Sequence, residues 1–208
     1  MAESMGRHSA ERMKFFTDAV VAIAMTLLIL PLLESVSEAA KDGLDTAEFL
    51  GDHGGQIFAF VLSFVIIARF WVSHERLFDP VEQWSGWLMG LNILWMLTIV
   101  ALPVVTAMIG SMDTDRLQIA LYIGTMLVTA LVMTAMSLVV VRTPAIWGDG
   151  TRPDTDGLAG SVGVASMMAL ALVLALALPH VGYLALLVLL LADPIQARLN
   201  KRWRAVAP

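Results

Sequence analysis

Cysteine is absent from all 208 residues, which excludes disulfide frameworks, thiolate nucleophiles and Cys-ligated metal centres. The four histidines, His8, His53, His74 and His180, are scattered without metal-ligand spacing. Charged residues make up only 15% of the chain. No H-E-x-x-H run, phosphate-binding loop, Gly-rich dinucleotide fingerprint or nucleophile elbow occurs. The reading is therefore no enzyme, no cofactor and no bound metal. Nothing in the composition favours nucleic acid as a partner. Two channel signatures are missing as well: the T-V-G-Y-G filter loop and an arginine at every third position of a span.

What is present is apolar sequence in long runs. Hydrophobic residues account for 58% of the chain, and the mean hydropathy is +0.78. Six runs approach the roughly 20 residues that cross a bilayer core as a helix. They lie near 14–34, 55–78, 87–111, 117–141, 158–178 and 181–198. Their unbroken apolarity predicts helices, because barrel strands alternate. The expected fold is an all-α integral membrane protein with six transmembrane helices, forming one domain over 1–208. The first run has basic residues before it but no convincing cleavage site after it, so it reads as a retained span. Pro179 and His180 are expected to turn a tight hairpin between the last two spans.

Lysines and arginines set the orientation. With a cytoplasmic N-terminus, eleven of the 13 fall inside and only Lys41 and Arg116 outside, the bias expected of cytoplasmic loops. Six spans then return the C-terminus to the cytoplasm. The acidic segment 37–52 falls outside, where it reads as a solvated, weakly structured connection.

Ionisable residues are rare within membrane helices, and each one is a candidate for function or assembly. Arg12, Lys14 and Asp18 open the first span. Arg69, His74 and Glu75 close the second, and Asn92 lies in the third. At about 100° per residue, Arg12 and Asp18 are separated by about 240° and cannot pair on their own helix. His74 and Asn92 are at a suitable depth to meet Thr17 or Asp18, and such bonds fix the register between spans. The alternative leaves Arg12 and Lys14 as interface anchors and Asp18 wetted by headgroups. On the same helix Ile23, Thr26, Leu27 and Leu30 share one face, with Asp18 about 140° from Ile23. Such a stripe on a membrane helix ordinarily meets lipid or a neighbouring helix.

The run R-M-K-F-F-T-D (12–18), followed by A-V-V-A-I-A-M-T-L-L-I-L, resembles the R-x-x-x-F-S-D opening of the transmembrane-protein-175 potassium channels. Arg12, Phe16, Thr17 and Asp18 fill the motif, with Thr17 in place of the usual serine. The resemblance continues through R-F-W-V-S-H-E-R-L-F (69–78), L-N-I-L-W-M-L (91–97) and Pro103. It implies a homotetramer around a central pore lined by the first helix. Ile23, Leu27 and Leu30 would form hydrophobic rings acting as a gate, and Thr26 would carry potassium selectivity. Arg12, Thr17 and Asp18, with His74, Asn92 and Trp71, would clamp that helix to spans two and three. The implied function is a potassium-preferring cation channel in the plasma membrane of a prokaryote. Its partners would be further copies of itself, the bilayer and permeant potassium ions. Two other readings stand beside it: a small secondary transporter or proton-coupled carrier using Asp18 and His74, and a non-conducting scaffold.

Overall fold

The computed structural model describes residues 2–112, 115–148 and 155–177. The described residues are helical apart from short connections. Helix α1 spans Ala2–Leu27, α2 Leu30–Lys41, α3 Thr46–Asp52, α4 Gly54–Phe78, α5 Gly86–Ser111, α6 Arg116–Arg142 and α7 Thr155–Ala177. Five stretches are long and apolar enough to cross a membrane, with α1 and α2 together supplying one of 32 residues, Ala10–Lys41. The protein is a multi-pass membrane protein. The sixth expected span, 181–198, and the hairpin at 179 and 180 lie outside the described residues.

The first span departs from the expected 14–34. Its helix starts well upstream and breaks at residues 28 and 29 before resuming. Pro31 is the physical reason. It offers no N–H to the carbonyl of Leu27, and its ring crowds that carbonyl. The backbone at Ile29 stays right-handed (φ −79°, ψ −20°), so the span is loosened rather than turned aside.

The expectation of a weakly structured connection over 37–52 is corrected. The run Glu38–Ala39–Ala40–Lys41 favours helix, and α2 carries on through it. Gly43 then takes φ +76° in the turn, a conformation that costs other residues strain. Asp45 opens α3 with a capping box: its carboxylate accepts from Ala47 and Glu48 N–H at 2.8 and 2.9 Å, and Glu48 accepts from the Asp45 N–H at 2.8 Å.

Helices α5 and α6 begin at side-chain caps too. Ser85 accepts from Leu88 N–H at 3.2 Å and Asp115 from Gln118 N–H at 2.6 Å. Helix α6 packs against α5 and α7, α5 also contacts α4, and α1 lies against α4 and α5. Trp95, Tyr122, Phe78, Ile99, Leu102 and Met126 fill the centre of this arrangement and are fully enclosed. Half of α5 and of α6 is buried, against 17% of the first span. That span therefore leaves most of its surface uncovered by its own chain.

On the side where α4 and α6 end, two connections are stitched together. Val81 and Trp147 form an antiparallel bridge. The Ile146 carbonyl accepts from Glu82 and Gln83 N–H at 2.9 and 3.2 Å, and the Pro80 carbonyl from Gly148 N–H at 3.0 Å. The Trp147 indole donates to the Val140 carbonyl at 2.8 Å.

Candidate functional site

One face of α1 is buried against its neighbours: Ala10, Thr17, Val21, Ala24 and Leu28 recur at three-, four- and seven-residue spacing. Thr17 is completely enclosed there. Its hydroxyl donates to the Met13 carbonyl at 3.0 Å, and it accepts the Asn92 side-chain amide at 2.9 Å. The Asn92 carbonyl oxygen in turn accepts from His74 Nε2 at 2.7 Å. A carbonyl oxygen has no proton to give, so the imidazole carries its hydrogen on Nε2. The chain of donors runs one way, from His74 through Asn92 to Thr17. It joins α4, α5 and α1 by side chains that are all buried.

Stacked rings hold the imidazole in place. Its centroid lies 4.3 Å from Phe78 and 4.5 Å from Trp95, and Phe78 stacks in turn on Trp84 at 4.9 Å. Rings fixed on both faces leave His74 little room to rotate away from Asn92. Asp18 is engaged separately, accepting the Trp71 indole N–H at 2.9 Å. Asp18 and His74 are thus taken up by different partners. Arg12 and Phe16 stand apart from this cluster and are exposed, so the structure does not bring Arg12 into contact with the groups it was expected to clamp.

The opposite side of α1 is open. Ile23 is 59% exposed, Leu30 48% and Leu27 38%, with Thr26 exposed among them. These four share one stripe, and Arg12 lies near its beginning. The Thr26 hydroxyl donates to the Ile23 carbonyl at 2.8 Å. Its only hydrogen is spent inside the helix, so it presents lone pairs to the open face.

A second polar cluster, which sequence reading missed, lies among α4, α5 and α6. Ser63 pairs with the Tyr122 hydroxyl at 2.7 Å and accepts from Thr106 at 2.8 Å. Thr106 also bonds the Leu102 carbonyl at 2.8 Å, one residue before Pro103. The available signal was the set of hydroxyls inside apolar runs. The break before Pro31 was missed too, although a proline within a helical pattern announces one. Gly86 and Gly90, spaced as G-x-x-x-G, are exposed, with nothing within 4 Å of where a Cβ would stand. Among the described residues no three His, Asp or Glu side chains gather as metal ligands.

Known proteins are similar to this chain. The family model described as endosomal/lysosomal potassium channel TMEM175 matches residues 12–103, the segment holding α1, α4 and most of α5. A potassium channel of Streptomyces collinus is 36% identical over 142 residues, 68% of this chain and 64% of that protein. A potassium channel of a Chryseobacterium species is 26% identical over 133 residues, 63% of this chain and 65% of that protein. The endosomal/lysosomal proton channel TMEM175 of Danio rerio is 24% identical over 141 residues, 68% of this chain and 27% of that protein. The chain thus spans just under two thirds of its bacterial relatives and about a quarter of the fish one. The crystal structure of a lysosomal potassium-selective channel TMEM175 homologue from Chamaesiphon minutus superposes with a TM-score of 0.73 at 20% identity, covering 91% of this chain and 98% of that one. That likeness establishes the fold. Over residues 12–103 the chain is similar to the TMEM175 family, and the bacterial relatives share that likeness.

Proposed function

We propose that this chain is a potassium-preferring cation channel and not an enzyme. Four copies surround a central pore lined by α1 in the plasma membrane of a prokaryote, with both termini cytoplasmic. The observation that carries the reading is the division of α1 into two faces. One is locked to α4 and α5 by Thr17, Val21, Ala24 and Leu28. The other, with Ile23, Thr26, Leu27 and Leu30, is exposed among the described residues. A pore helix needs this asymmetry: one side anchored, the other free to meet its symmetry mates. The names of the Streptomyces and Chryseobacterium relatives support potassium as the permeant ion.

In such an assembly Ile23, Leu27 and Leu30 make stacked apolar rings. A narrow apolar ring expels water and blocks ions without any charge, and a slight widening wets it. Thr26 contributes four hydroxyl oxygens with their lone pairs turned outward. They replace part of an ion's hydration shell and favour potassium, which dehydrates more easily than sodium. Asp18 is then a positioning residue held by Trp71, away from the ion path.

A carrier with a proton relay through Asp18 and His74 is disfavoured by the same geometry. The two groups share no hydrogen bond, each being committed to a different neighbour.

The test is ion flux from purified protein in liposomes, under potassium, sodium and proton gradients in turn. The expected result is flux larger for potassium, raised by Ile23→Asn and made less selective by Thr26→Ala. If both substitutions leave flux unchanged, α1 does not line the path.

A further inference from the structure

The break in the first span lies on its open face. Leu27 ends α1, and the residue four positions on is Pro31. Covalent structure alone denies the Leu27 carbonyl its usual amide partner, and the proline ring pushes that carbonyl outward. The nearby bonds are spoken for elsewhere. Ile29 N–H turns back to the Thr26 carbonyl at 3.3 Å, and Leu33 N–H bonds Ile29 at 3.1 Å. No side chain caps the start of α2.

Depth makes this consequential. Leu27 lies 15 residues beyond Arg12, about 22 Å along the helix and well inside a hydrocarbon core about 30 Å thick. Lipid cannot satisfy a freed main-chain oxygen, and such backbone is tolerated at that depth only where protein or water meets it. Among the described residues, Leu27 and its neighbours on the stripe are left exposed. Water, an ion or a neighbouring copy must therefore meet this face.

We infer that the Leu27 main-chain carbonyl, released by Pro31, forms a second oxygen layer for a partly dehydrated monovalent cation, about one helical turn beyond the Thr26 hydroxyl. This rests on the pore reading above. Two layers of oxygen in succession, one hydroxyl and one carbonyl, hold the ion on both sides as it crosses the apolar rings. A carbonyl is the stronger dipole, so the Leu27 layer carries much of the preference for potassium. Glu34, Ser37, Glu38 and Lys41 line the exposed face of α2 together with Leu30 and Leu33, so two carboxylates and one ammonium lie beyond that layer.

The experiment measures the potassium-to-sodium permeability ratio of the full chain in liposomes for three variants. Pro31→Ala restores an N–H that reclaims the Leu27 carbonyl. Replacing the peptide bond between Leu27 and Leu28 by an ester keeps the break and the side chains but weakens that oxygen as a ligand. Ile23→Asn reports whether α1 lines the path at all. The expected result is a ratio lowered about threefold or more by both backbone variants, with flux raised by Ile23→Asn. If the ester leaves the ratio unchanged while Ile23→Asn still raises flux, the carbonyl layer is overturned and the pore reading survives. If Ile23→Asn does not change flux, the pore reading itself has failed. Should Pro31→Ala not assemble, the ester decides alone.

Discussion

The Asn92 amide reaches the Thr17 hydroxyl at 2.9 Å across 75 positions of sequence. This bond holds α1 to α5 at the level where the first span enters the membrane. Because the Asn92 carbonyl oxygen also receives the His74 Nε2 hydrogen, one side chain serves three helices.

Asn92→Leu leaves the Thr17 and His74 groups without their shared partner in a water-free setting. The expected cost is about 1–2 kcal/mol, read as an earlier midpoint in a denaturing-detergent titration. Thr17→Ser keeps the hydroxyl and is expected to leave that midpoint in place, whereas Thr17→Val moves it in the direction of Asn92→Leu. Equal midpoints for Thr17→Ser and Thr17→Val would show that the hydroxyl contributes nothing.

Asp18→Asn still offers a carbonyl oxygen to the Trp71 indole. Assembly and potassium flux are expected to stay within a factor of about three of the parent, in keeping with interhelical bonds worth about 0.6 kcal/mol on average. Abolished flux from an intact oligomer would restore Asp18 to the transport path and revive the carrier.

Ser63 accepts from Thr106 and pairs with Tyr122, so Ser63→Ala removes two hydrogen bonds while Tyr122→Phe removes one. The alanine variant is expected to be the less stable of the two. A double-mutant cycle between them should give a coupling of about 0.5–1.5 kcal/mol. A coupling of zero would mean that the 2.7 Å contact is energetically silent.

The ring stack offers another check. Trp95→Leu removes one of the two faces that confine His74, and its effect on stability is expected to be strongly non-additive with that of Asn92→Leu. Simple addition of the two losses would show that the stack and the hydrogen-bond chain act independently.

The spans α4, α5 and α6 were legible to within a residue or two, because their apolar runs end at strong signals such as Ser85, Asp115 and Pro80. The meeting of Thr17, Asn92 and His74 could be anticipated for a simple reason: polar groups at one depth in an apolar medium have few other places to go. Less could be foreseen where local chemistry overrode the broad pattern. Hydropathy averages over Pro31 and passes straight through the break, although one missing N–H decides it. Acidic composition suggested a loose connection over 37–52, yet helix-favouring residues and the Asp45–Glu48 cap organised it. Arg12 shows the limit of motif reasoning: its place in the sequence pattern suggested a clamp, and its angular position on α1 keeps it clear of one.

The stitched connections have a practical corollary for handling this protein. Residues 80–83 and 146–148 lie close together in sequence to helix ends and look like free surface turns, the usual choice for inserting a tag or a fluorescent reporter. Their backbone hydrogens and carbonyls are engaged with each other, so an insertion there would pry apart two helical hairpins. The turn at 42–45 is exposed and has open space around Gly43. It is the better place to attach a label, provided that Asp45 and Glu48 are left to start α3.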